Sequence, residues 1–262
     1  MTSLTLENIG ISFGGLRALD GVSFTANSGE VTSIIGPNGA GKTTLFNIIT
    51  GIYQPDIGKV LIDGTDVTGE APHDLARRGM ARTFQNLQIF EQMSALDNVM
   101  AGRHLHERRN VLADMFGLPS SRKCNRESAI AAQAALKRVG LGGVANRPAG
   151  DLSYGQLKRL EIARALTTEA SLILFDEPAA GCNAVESREI DDLISSIASD
   201  GAAVILIEHD MRMVMRISSH IIVLDHGRKI AEGTPETVRK SPQVVEAYLG
   251  VHGAKEAGAA LA

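Results

Sequence analysis

The sequence has no tryptophan, and aromatic residues fill only 4% of its 262 positions. Its core must therefore come from Leu, Ile, Val and Ala. Cysteine is nearly missing as well. Cys124 and Cys182 stand in unrelated contexts, without metal-ligand spacing or a disulfide framework, which fits a reducing compartment. Long apolar runs are lacking too: stretches such as Ala202 to Ile207 and Leu172 to Phe175 fall far short of the roughly 20 residues that span a bilayer. Met1 to Glu7 is polar and acidic, so no signal peptide is expected. If the protein works at a membrane, another chain provides the span. Nor is there a surplus of positive charge. A formal net charge of −4 gives no global reason to bind nucleic acid. The basic run Arg103 to Arg109 is broken by Glu107 and reads as a solvated or partner-facing surface.

What is present is ordinary for a globular protein: 44% hydrophobic and 21% charged residues. The length suffices for one large α/β domain or two lobes sharing a core. Up to residue 35, short alternating runs (Leu4 to Leu6, Ile11 to Phe13, Val22 to Phe24, Val31 to Ile35) are separated by Gly14-Gly15 and Ser28-Gly29. That pattern predicts strands with an antiparallel component. Thr43 to Thr50 reads as a helix, and Val60 to Ile62 with Asp63-Gly64 as a strand and turn. From Ala95 to Gly140 the composition predicts mostly helix, with Pro119-Ser120-Ser121 as an interrupting loop. Strands return at Leu172 to Phe175, Ala203 to Ile207 and Ile221 to Leu224, with a helix over Glu186 to Ser199. The Ala- and Gly-rich tail over 251–262 is expected to be disordered. The simplest architecture is a single α/β domain over 1–250. Its core comes from 1–86 and about 166–250, and a helical lobe is inserted at about 87–165.

Three motifs carry chemistry. The first is Gly36-Pro37-Asn38-Gly39-Ala40-Gly41-Lys42-Thr43, a full G-x-x-x-x-G-K-T between the apolar strand Val31 to Ile35 and a helix. Its glycines let successive N–H groups point at phosphate oxygens. Lys42 can reach the terminal phosphates, Thr44 joins the nucleotide-binding residues of the loop, and the Thr43 hydroxyl can meet Mg²⁺. The second is Leu172-Ile173-Leu174-Phe175-Asp176-Glu177. A buried parallel strand would deliver two carboxylates at its C-terminal end, Asp176 toward Mg²⁺ and Glu177 toward an attacking water. The third is Leu152-Ser153-Tyr154-Gly155-Gln156 before a helical run, where Ser153 and Gln156 have capping-box spacing and Gly155 keeps the helix entrance open.

Taken together, these motifs resemble the ABC ATPase family, whose Leu-Ser-Gly-Gly-Gln signature stands between the two nucleotide motifs. The resemblance covers nearly the whole chain, to about Gly250. It implies a P-loop α/β fold of ABC type: a mixed central sheet, an antiparallel β subdomain and an inserted helical lobe. It also implies ATP with Mg²⁺ bound by one subunit's loop, while Ser153, Gly155 and Gln156 of a partner press on the γ-phosphate. Gln85 in Arg82-Thr83-Phe84-Gln85 falls at the family's Q-loop, near Mg²⁺ and the water. His209 in Ile207-Glu208-His209-Asp210 matches the switch histidine, and Phe13 the aromatic that stacks on adenine. Tyr154 replaces the usual first signature glycine, and Asn183 stands where most cassettes have aspartate.

Further phrases, Ala81 to Asn86, Asp176 to Gly181, Ile207 to Met211 and Gly233 to Glu236, are similar to ATP-binding subunits of branched-chain amino-acid importers, the LivG type. That resemblance implies a second, related cassette as dimer partner, two membrane permease subunits and, indirectly, a periplasmic substrate-binding protein. The place of work would be the cytoplasmic face of the plasma membrane. Urea importers and lipopolysaccharide-export ATPases share part of this pattern. A soluble ABC protein acting on ribosomes or DNA, and a P-loop kinase or GTPase, are the readings from other classes. A single cassette without sustained heptads disfavours the soluble ABC reading, and the signature disfavours the kinase or GTPase.

Overall fold

The computed structural model describes residues 2–83, 87–105 and 119–252. In chain order the described elements are β1 (Ser3–Phe13), β2 (Leu16–Asn27), β3 (Val31–Ile35), α1 (Lys42–Ile49), β4 (Ile57–Ile62), β5 (Thr65–Asp66), α2 (Pro72–Arg77), β6 (Met80–Arg82) and α3 (Ala95–Met100). Then follow α4 (Pro119–Arg138), α5 (Tyr154–Leu166), β7 (Leu172–Asp176), α6 (Ala184–Ser199), β8 (Ala203–Ile207), α7 (Met211–Ile217), β9 (His220–Asp225), β10 (Arg228–Gly233), α8 (Pro235–Arg239) and α9 (Pro242–His252). Two compact units result. The first comprises 1–82, 171–177 and 191–262, and the second 83–170 and 178–190.

The first unit holds two sheets. An antiparallel one runs β2-β1-β4-β5, and a six-stranded one runs β10-β9-β3-β8-β7-β6. Within the second sheet β9, β3, β8, β7 and β6 are parallel, and β10 joins its edge antiparallel. Every residue of β3, β7 and β8 is buried, which is why these segments read as unbroken apolar runs instead of alternating ones. One buried cluster joins Leu4 and Leu6 of the antiparallel sheet, Phe46 and Ile49 of α1, and Leu174 and Ile205 of the parallel sheet.

β1 corrects the expectation of separate short strands. It runs unbroken through 11 residues because register shifts between Leu6 and Ser12 absorb the break in alternation. Asn8, at φ 52, lies among those bulges.

The second unit is helical, with α3, α4 and α5 packed on one another. Val99, Leu136 and Leu160 are fully buried there, and the Thr167 hydroxyl donates to Val99 O. Pro119-Ser120-Ser121 is not a loop: α4 begins at Pro119. Proline at the first helical position supplies a fitting φ and loses no needed N–H. At the other end of the chain α9 runs on to His252, and 253–262 lie outside the described residues.

Candidate functional site

The glycine-rich loop leaves β3 directly. β3 is paired on both sides, with β8 and β9, so the exit of the chain at Gly36 is held from two directions. A Cβ at Gly36 would lie 2.1 Å from Leu224 O, so only glycine allows β9 this close. Gly41 is the N-cap of α1 at φ 101, a left-handed conformation in which a Cβ would also meet Ala18 O at 2.9 Å. α1 has no side-chain cap and no acid in its first turn, so the positive end of its dipole is left for an anion. Thr43 is exposed on that turn, and Thr44 is half-buried.

Lys42 folds back along the loop, donating to Gly36 O at 2.6 Å and Pro37 O at 3.0 Å. Burial lowers its pKa below the ordinary lysine value, and the charges of Glu177 and Asp176 oppose that shift.

The acids arrive on β7. Asp176 closes this strand, and its Oδ2 receives Arg82 Nη2 at 2.9 Å, both side chains being 10% exposed. The other arm of the Arg82 fork donates to Asn47 Oδ1 at 2.9 Å and Thr50 Oγ1 at 3.1 Å, at the C-terminal end of α1. The guanidinium also lies 5.5 Å from the Phe46 ring centroid. One arginine thus joins β6, the acid strand and the helix that follows the loop.

Glu177 takes φ 50, unusual for a residue with a Cβ, and its N–H donates to Ile207 O. Its Oε1 lies 3.7 Å from His209 Nδ1. The His209 N–H donates to the buried Glu208 carboxylate at 3.1 Å, and its ring is largely exposed. Phe13, at the end of β1, is 45% exposed and meets the Tyr53 ring edge-on, centroids 5.3 Å apart.

In the second unit, Ser153 caps α5. Gln156 N–H donates to Ser153 Oγ, and Ser153 N–H to Gln156 Oε1, closing the box the spacing predicts. Asn183 builds a second box. Its Oδ1 accepts from the Val185 and Glu186 N–H groups, and Glu186 Oε2 accepts from Asn183 N–H. The two boxes abut, because a Cβ on Gly155 would lie 2.3 Å from Glu186 Oε1. Gly181 likewise leaves room for the Tyr154 ring, and Lys158 Nζ lies 5.7 Å from the centroid of that ring. Gln85 lies outside the described residues.

A family model described as "ABC transporter" matches residues 19–180. The chain belongs to the ABC transporter ATP-binding family. A second model, "Branched-chain amino acid ATP-binding cassette transporter", matches residues 228–254 of the cassette. Over 248 residues the cassette is 45% identical to the high-affinity branched-chain amino acid transport ATP-binding protein BraF of Pseudomonas aeruginosa. It is 40% identical to LivG of Escherichia coli K12 over the same length, and in each case 94% of this chain and 97% of the relative are covered. Among solved structures, the ADP conformation of an ATP-binding cassette of an ABC transporter superposes with a TM-score of 0.83 at 36% identity, covering 95% of this chain and 99% of that one. A dimeric bacterial ABC transporter cassette gives 0.73 at 28% identity, covering 88% and 98%.

The cassette's fold is the P-loop ABC fold that the motifs imply, with an antiparallel sheet beside a mixed one. Its donors suit Mg²⁺. Among the described residues no group of three or more His, Cys, Asp or Glu could hold a metal alone. A Mg²⁺ that keeps waters and leans on substrate phosphates would need only a hydroxyl and a carboxylate from the protein, which Thr43 and Asp176 would supply. Among the described residues no helix is long and apolar enough to cross a membrane.

Sequence reasoning missed Arg82 as a site residue, reading it only within a family phrase. A charged residue in a strand as short as β6 was the available signal, since a buried arginine requires a counter-charge.

Proposed function

We propose that this cassette binds and hydrolyses Mg·ATP to drive import of branched-chain amino acids. The observation that carries the reading is its full-length likeness to BraF and LivG, together with the C-terminal match over 228–254. The loop Gly36 to Thr44 and Lys42 would hold the phosphates, Phe13 the adenine, and Thr43, Asp176 and Gln85 the Mg²⁺. Glu177 is suited to orient and deprotonate the attacking water, with His209 beside it toward the γ-phosphate.

Two cassettes would close on two ATP, each nucleotide meeting Ser153, Gly155 and Gln156 of the partner. The dimeric cassette of similar fold supports that arrangement. The partner is a second, related cassette. Two permease subunits receive the closure, a periplasmic protein delivers the amino acid, and the complex sits on the cytoplasmic face of the membrane.

The test is reconstitution with the permease pair, partner cassette and binding protein in vesicles loaded with ATP. Leucine uptake that disappears with Lys42→Ala supports the reading; uptake of urea but not leucine overturns it.

A further inference from the structure

Phe13 ends β1 and pairs with Leu16 across Gly14-Gly15, a tight two-residue turn with φ values of 55 and 84. A Cβ on either glycine would meet no described residue within 4 Å, so packing does not steady the turn from that side. The strand end is held instead by the segment that follows α1. Asp56 N–H donates to Gly10 O at 2.9 Å, and Asp56 Oδ2 accepts the Ser12 N–H at 2.8 Å. The Tyr53 ring completes the attachment, meeting the Phe13 ring at 5.3 Å between centroids and 64° between planes.

Tyr53 is itself fixed to the helix that begins at Lys42. The Ile52 and Tyr53 N–H groups both donate to Asn47 O, at 2.8 and 3.0 Å, which folds the chain back over the end of α1. Gly51 permits that fold at φ 72, where a Cβ would lie 2.1 Å from Glu70 O. A ring on an exposed strand end loses rotamer freedom when a ligand stacks on it, and that loss weakens binding. An edge-on neighbour restrains the ring in advance without covering both of its faces. Phe13 accordingly stays half-exposed beside Tyr53.

We propose that Tyr53 is a positioning residue for the nucleobase, holding the Phe13 ring in the orientation that stacks on adenine. This rests on the reading of Phe13 as the adenine contact. Because Tyr53 acts through Phe13 and not on the phosphates, its loss raises KM for ATP and Kd for ADP. It spares kcat and the affinity for inorganic pyrophosphate.

The experiment uses the full chain and compares Tyr53→Leu, Tyr53→Phe, Phe13→Ala and the double variant Phe13→Ala with Tyr53→Leu. Affinities for Mg·ADP and for inorganic pyrophosphate are measured beside Tm. Tyr53→Leu is expected to raise the ADP Kd about threefold to tenfold, the scale of one aromatic pair, and Tyr53→Phe to restore it. In the Phe13→Ala background, Tyr53→Leu should add nothing. Wild-type ADP affinity in Tyr53→Leu, when Phe13→Ala weakens binding, overturns the proposal and leaves the adenine reading intact. An equal loss from Tyr53→Leu with and without Phe13, or an equal loss for ADP and pyrophosphate, also overturns it. If Phe13→Ala binds ADP as wild type does, the adenine reading fails and the proposal falls with it.

Discussion

Arg82 Nη2 stands 2.9 Å from Asp176 Oδ2, a charge pair almost closed to solvent at the end of the acid strand. The same guanidinium holds Asn47 and Thr50, so the position of Asp176 depends on the helix that carries the loop. Losing one member of such a pair strands the other's charge. Arg82→Met should therefore destabilise the protein by about 3 kcal/mol in urea denaturation. The double variant Arg82→Met with Asp176→Asn should recover part of that loss. Equal stability of Arg82→Met and wild type would show that the pair contributes nothing.

Gly155 and Glu186 make a second testable contact. A methyl group at 155 would displace the Glu186 side chain, whose Oε2 caps the Asn183 N–H. Since the obstacle is the flexible end of a side chain, the cost of Gly155→Ala should be that of the lost cap, about 1 kcal/mol. In a Glu186→Ala background the same change should be nearly neutral. A full penalty in both backgrounds would place the constraint elsewhere.

Burial pushes the Tyr248 phenol up to about 12 from 10.0, opposed by the Gly36 N–H. The folded state thus keeps a proton that the unfolded chain releases near pH 10. Between about pH 10 and about 12 the native state binds more protons, so stability falls as pH rises through that window. Tyr248→Phe should remove this share of the alkaline loss, measured as a flatter dependence of Tm on pH. An unchanged slope would mean that the phenol titrates as in the unfolded chain.

Much of this was legible in the sequence where local chemistry decides structure. The run Val31 to Thr43 shows a buried strand, a glycine-bearing turn and a helix start, and Ser153 with Gln156 shows its capping box by spacing alone. Illegible were features made by residues far apart in sequence. Arg82 meets Asp176 across 94 positions, and Val244 shares a buried cluster with Ile35 from near the other end of the chain. Asn183 reads as a departure at an expected dimer interface. Its side chain also caps the helix of its own subunit, which no single position reveals without Glu186 beside it. Pro119 was misread because proline ends helices and also begins them, and the choice depends on what precedes it.

The central claim is that Glu177, delivered at φ 50 beside His209, activates the water that cleaves ATP held by the loop. Glu177→Gln tests it most directly, with ATP affinity and steady-state hydrolysis measured on the same preparation. The account predicts ATP affinity within a few-fold of wild type and turnover lower by about 10²- to 10⁴-fold. Hydrolysis at the wild-type rate would contradict it.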